Sequence, residues 1–274
     1  YKKTVHVAVF FYFTPSKPVP KPTQRPALLA KHSQLMDLHV ALNSSDPLYT
    51  IGWLSAFFVV VFPLWFAPKL SIRSRGQFEK TWAYLLIASY FAMTGISMLR
   101  GEASWGTSLL FHMCGFSRLL MVGYLLTGKK WMGELVTFTG LAGGLQSLLT
   151  PEFTHGLHPV YVTDYYFNHA SIVGIGIYII LVNKQPLKPY AWLRSFGRIQ
   201  IMALIALMVN LFTGGNYMYL MTPPIVDNPL IVSSTEFPYL HVLFFEVAAL
   251  LNFALIHLVL RRIKVRDRYG VPTR

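Results

Sequence analysis

Residues 239–260 read YLHVLFFEVAALLNFALIHLVL, and RRIKVRDR follows directly at 261–268. A helix of about 20 mostly apolar residues is long enough to cross a hydrocarbon core. The stretch is too long for a strand, and it lacks the every-second-residue alternation of a membrane barrel. Arg261, Arg262, Lys264, Arg266 and Arg268 close it. Lys and Arg collect beside membrane spans on the side that the chain does not translocate.

Six further apolar segments precede this one, at 50–67, 80–99, 107–127, 131–150, 165–183 and 198–221. Seven helices sort the loop charges. Lys69, Arg73, Arg75 and Lys80, then Lys129 and Lys130, then Lys184, Lys188 and Arg194 fall on the side of the basic tail. The opposite 4–5 and 6–7 loops hold only Glu152, Asp164, Asp227 and Glu236, and the 2–3 loop holds Arg100. Adding or losing a helix scrambles that separation. The expected fold is an all-α polytopic membrane protein of seven transmembrane helices with an irregular N-terminal extension. Its C-terminus is expected on the positive-inside face. Pro63 should kink or end the first helix. Gly140, Gly143 and Gly144 should allow a close helix approach.

Composition agrees. Of 274 residues, 54% are hydrophobic and 13% charged, about half the usual charged share. A disordered chain, a collagen and a disulfide scaffold are excluded. The formal charge of +13 comes with no basic patch interleaved with aromatics, so nucleic acid is not the expected partner. The single cysteine, Cys114, forms no internal disulfide. The domain reading is a basic, proline-rich arm over 1–49, the helical domain over 50–262 and a basic tail over 263–274. The arm fits the region behind a cleaved organellar targeting segment, and equally a plain basic tail. A mitochondrial inner membrane or another organellar membrane is the expected location.

Ionisable residues inside spans are costly and point to function. Cys114 and Arg118 are i, i+4 and share a helix face. A guanidinium there favours a thiolate. His112 lies about 200° round the helix from Cys114, so a base for the thiol must come from elsewhere. His169 is the candidate, with Asp164 to orient it. A Cys–His pair suits acyl transfer. Asn216, or a helix N-terminus, is the candidate oxyanion donor. The bland alternative makes Cys114 packing and His169 an interfacial histidine. Glu134 and Glu246 need partners, and Arg118 is the candidate for either. Arg194, Arg198, Arg261 and Arg262 are candidate lipid-phosphate ligands, or ordinary positive-inside charges. His155 and His158 are a weak metal signal, because a structural zinc usually wants four ligands. No cofactor and no metal are expected.

Five motifs occur in order: Leu-Phe-His112-Met-Cys114, Gln146-Ser-Leu-Leu-Thr-Pro151-Glu152, Tyr-Tyr-Phe-Asn168-His169, Asn216-Tyr-Met-Tyr-Leu with Pro223, and Phe-Pro-Tyr239 before Glu246. Together they resemble the YwaF-like integral membrane proteins over roughly residues 50 to 262. Relatives of that family include an animal transmembrane acyltransferase of ether phospholipids. The resemblance implies a seven-helix fold and places the acyltransferase's cysteine on Cys114 and its histidine on His169. Two functions are therefore expected. For physiological role the arm favours an accessory subunit of a larger membrane complex, with lipid-binding surfaces and protein partners held through residues 1–49. For ancestry the motifs favour a Cys–His phospholipid acyltransferase with a lysophospholipid acceptor.

Overall fold

The computed structural model describes residues 39–226, 234 and 236–263. Most of the arm and of the basic tail lies outside these residues, so the partner-binding reading of 1–49 falls largely outside them too.

All seven expected apolar segments are helical, and their ends are set by caps rather than by hydropathy. Asp46 accepts a hydrogen bond from the Leu48 amide at 2.7 Å and starts α1 (Pro47–Phe66). A proline suits that first turn because its missing N–H has no helical partner to lose. The helix runs on through Pro63 for another three residues to Phe66, so this proline does not stop it. Ser71 caps α2 (Ile72–Leu99) through the Ser74 amide, 3.2 Å away. Helix α2 therefore begins eight residues ahead of the apolar run at 80, because Arg73, Arg75 and Lys80 sit in helical turns that hydropathy does not register. In contrast, the segment 107–112 forms turns, and α3 (Met113–Thr127) begins only after an extended His112.

Next, α4 (Lys130–Thr139) passes through a π-helical turn (Gly140–Gly144) into α5 (Leu145–Leu149), with helical backbone angles at both junctions. His158 caps α6 (Pro159–Leu181), which starts six residues ahead of the expected 165. Helix α7 (Ala191–Thr213) ends at Gly214, whose φ of +71° is a left-handed stop. The chain then makes a short turn at Tyr217–Tyr219 instead of continuing helical to 221. Last comes α8 (Leu240–Leu260). A two-residue antiparallel pairing, Val40–Ala41 with Glu152–Phe153, ties the residues before α1 to the loop before α6.

Helix α6 is the axis of the bundle. It packs against α1, α2, α3 and the α4–α5 rod, and it is buried along most of its length. The expected close approach occurs here. A Cβ at Gly140 would sit 2.3 Å from the Ile172 carbonyl oxygen, and one at Gly174 would sit 3.0 Å from Val60 Cα. By contrast, Phe57, Phe58, Phe91, Leu204, Phe212 and Leu251 point outward from α1, α2, α7 and α8. Those four helices are long and apolar enough to cross a membrane. The arrangement is that of a membrane bundle, in which packing and hydrogen bonds hold helices together while apolar side chains face lipid.

The polar pairings differ from expectation. Glu134 is held by Arg194 at 3.1 Å and Arg198 at 3.3 Å, and Glu246 accepts from Gln200 at 2.6 Å. Neither carboxylate takes Arg118. Residues 194 and 198 are one helical turn apart, so both guanidinium groups reach the same carboxylate. Two of the four candidate phosphate ligands are thus engaged inside the protein. Arg261 and Arg262, just past the end of α8, are exposed.

Candidate functional site

A cavity of about 440 Å³ opens where α2, α3, α5, α6 and α8 converge. Cys114, Arg118 and His169 all line it, as do Asp164, Asn168, Glu152 and Tyr219. The fold thus brings three of the four candidate catalytic residues to one space. Asn216 is not among the residues that line it. Its side chain accepts from the Met221 and Thr222 amides and donates to the Thr222 carbonyl, which closes the loop after α7. That hydrogen-bonding leaves the oxyanion role without its expected donor.

Arg118 is the most constrained polar group in the cavity. Its Nη2 donates to both Asp164 oxygens, at 2.9 and 2.8 Å, and its Nε donates to Asn168 Oδ1 at 2.8 Å. Asp164 and Asn168 are i, i+4 on α6, so one face of that helix holds the guanidinium. Ser89 also donates to Asp164. Asp164 therefore serves Arg118 and does not orient His169. Its charge also offsets the guanidinium field at Cys114, so the thiol faces an ion pair rather than a lone cation. Arg118 Nη1 is left buried and without a hydrogen-bond partner among the described residues.

His169 has its own anchor one turn back. Its Nδ1 lies 2.8 Å from the Tyr165 carbonyl oxygen. A carbonyl only accepts, so Nδ1 carries the hydrogen and the lone pair resides on Nε2. The Tyr165 ring lies against the imidazole with centroids 4.1 Å apart, and the Tyr165 hydroxyl donates to the Ser147 carbonyl at 2.7 Å. No hydrogen bond joins Cys114 to His169. Both contribute to the cavity wall. His112 also lines the cavity and accepts from the Met218 amide at 3.3 Å.

Glu152 and His155 line one end of the cavity, with His39 behind Glu152; of these, the sequence marked His155 alone, as a weak metal signal. Glu152 is held in place by the short strand pairing. Burial pushes its carboxyl above the ordinary range, against the weaker pull of the nearby Tyr219 hydroxyl and the Ile225 and Val226 amides. His39 Nε2 is 3.3 Å away, and burial lowers the affinity of that imidazole for a proton. His155 is likewise pushed down by burial, with Glu102 opposing and His39 adding slightly. It hydrogen-bonds Ser108 and Thr154. Among the described residues no group of three His, Cys, Asp or Glu side chains is arranged to hold a metal ion.

Residues 43–257, most of the chain, match the TMEM164 family. No curated protein and no solved structure matches it.

Proposed function

The chain belongs to the TMEM164 family, and on that premise we propose that it is an acyltransferase of membrane phospholipids, with Cys114 as nucleophile. One observation carries the proposal: Cys114, His169 and Arg118 line a single cavity inside a membrane bundle. The likeness to YwaF-like proteins, with their ether-phospholipid acyltransferase relative, supports the same chemistry.

In the first half-reaction His169 Nε2 takes the Cys114 proton and the sulfur attacks the ester carbonyl of a phospholipid. The carbonyl electrons move to oxygen, where Arg118 Nη1 supplies the hydrogen bond that no other described residue receives. The tetrahedral adduct collapses. The ester C–O bond breaks, the leaving alkoxide takes the proton from His169, and a lysophospholipid departs from the thioester. In the second half a different lysophospholipid hydroxyl attacks the thioester. Its proton passes to His169 and then to the released thiolate. Closure of the distance between thiol and imidazole belongs to the substrate-bound state, because such contacts tighten on binding.

Purified protein in non-ionic detergent, given phospholipid with an isotope-labelled acyl chain and unlabelled lysophospholipid, should move label to the acceptor. Cys114→Ser should abolish the transfer while the protein elutes as a folded species. Turnover retained in that variant refutes the assignment. The accessory-subunit reading rests on the arm, and no described residue favours it. The loop charges support a C-terminus on the positive-inside face of an organellar membrane. Labelling single cysteines introduced at 130 and 264 from either side would test this orientation.

A further inference from the structure

The cavity that holds Cys114 carries an unbalanced charge at its far side. Among the described lining residues the only Lys or Arg is Arg118, and Asp164 neutralises it. Among the described residues neither Glu152 nor Glu246 meets a Lys or Arg, and Glu246 accepts from the neutral amide of Gln200. Glu152 is 9% exposed, and neither oxygen has a well-formed hydrogen bond among the described residues; the nearest polar groups are the Tyr219 hydroxyl and His39 Nε2, the latter 3.3 Å away. A buried carboxylate in that state costs several kcal/mol unless a counter-charge arrives, and otherwise takes up a proton. His39 Nε2 lies 3.3 Å from Glu152, but burial lowers the affinity of that imidazole for the proton that would make it a counter-charge.

The surroundings point to the kind of charge that fits. Tyr165 and Tyr219 both line the cavity and both stand within electrostatic reach of Glu152. An aromatic ring beside a carboxylate attracts an organic ammonium, through the ring quadrupole and the carboxylate together; the Tyr165 ring is packed against His169 and Phe153, at 4.1 and 4.5 Å between centroids, so the ring that serves here is that of Tyr219. A phosphate or carboxylate ligand would instead meet like charge at this end.

We propose that Glu152, with Tyr219, forms a subsite for a protonated or quaternary ammonium group on a molecule whose apolar part fills the cavity. The subsite goes beyond the acyl-transfer reading, because it binds whether or not Cys114 reacts. The ammonium belongs either to a lipid headgroup or to a free amine.

The test reads binding without turnover, on the whole protein in maltoside detergent. A fluorescent quaternary-ammonium amphiphile is displaced by dodecyltrimethylammonium, by dodecanol or by tetramethylammonium. Dodecyltrimethylammonium should compete at least ~10-fold better than dodecanol. Glu152→Gln should bring the two within about twofold. Competition by tetramethylammonium supports a site that takes the free cation, and competition only by the chain-bearing cation supports a headgroup site. Equal competition by the cation and the alcohol overturns the proposal in the wild-type protein alone, even if Glu152→Gln fails to fold. An undiminished preference in a folded Glu152→Gln protein overturns it as well. Loss of transfer in Cys114→Ser with this preference intact separates the two proposals.

Discussion

Removing the Asp164 carboxylate should be the most damaging single change in the site. In Asp164→Ala, Arg118 loses both hydrogen bonds from Nη2, at 2.9 and 2.8 Å, and keeps only the one from Nε to Asn168. The two side chains are 6% and 9% exposed, so water does not replace the lost partner. Stripping one member from a buried pair leaves an uncompensated charge and costs about 3–5 kcal/mol. For a chain of this size that cost lowers the melting temperature by ~6–20 °C. Thermal unfolding of detergent-purified protein, followed by tryptophan fluorescence, reads it directly. The paired replacement Arg118→Met with Asp164→Leu removes both charges and should recover most of the loss, because an apolar pair needs no counter-ion. A drop below ~1 kcal/mol in Asp164→Ala, the size expected for a solvated pair, refutes the claim that this interaction is buried and desolvated. A double variant no more stable than the single one refutes the charge argument and leaves only lost volume.

Two other outcomes follow from the geometry. Gly140→Leu drives a side chain into the Ile172 carbonyl, which a Cβ alone would approach to 2.3 Å; overpacking of this kind costs about 1–3 kcal/mol or more, and a melting temperature equal to wild type would show that α4 and α6 separate easily. His155 has its pKa lowered from 6.5 by burial, so between 6.5 and the folded value the unfolded chain binds the extra proton; stability should hold steady above about pH 6.5 and fall as the pH drops from there. His155→Gln should flatten that decline, and a slope unchanged by the substitution assigns it to another group.

Legibility followed the range of the interaction. The apolar runs and the loop charges fixed the helices, because burial in lipid is written locally in twenty-residue windows. Segment starts at 72 and 159 were missed, since Ser71 and His158 cap turns that carry Arg73, Arg75 and Asp164. Hydropathy reads such turns as loop. The pairing of Arg118 was missed for a different reason. Asp164 was assigned to His169 on one helix, whereas the fold sets its face toward α3. The spacing of Asp164 and Asn168 already marked a common face, but not the partner it meets. Similarly, Arg194 and Arg198 repeat at one turn, which signals a shared carboxylate as readily as a lipid phosphate. Asn216 precedes two prolines and closes a loop, a role that asparagine often takes. The role of Glu152 is not legible in its own stretch, because its environment is made by residues 39–41 and by the stretch 219–226, both distant in sequence.

Helix α6 sits at the axis of the bundle, yet it is not among the four helices apolar enough to cross by themselves. This shapes how the protein is made. Asp164 lies in the second turn of α6 and is buried; a carboxylate in a span costs up to about 2.5–3.5 kcal/mol at its centre, and the Arg118 pair offsets part of that. Arg118 precedes Asp164 by 46 residues. At ~5–20 residues per second, a ribosome needs roughly 2–9 s to reach Asp164 after Arg118. During that interval α3 carries a cation with no counter-ion and α6 does not yet exist. The pair therefore forms only after α6 has been made, and it ties the two helices to each other late in folding. A chain stalled between the two presents the membrane quality-control machinery with a lone arginine.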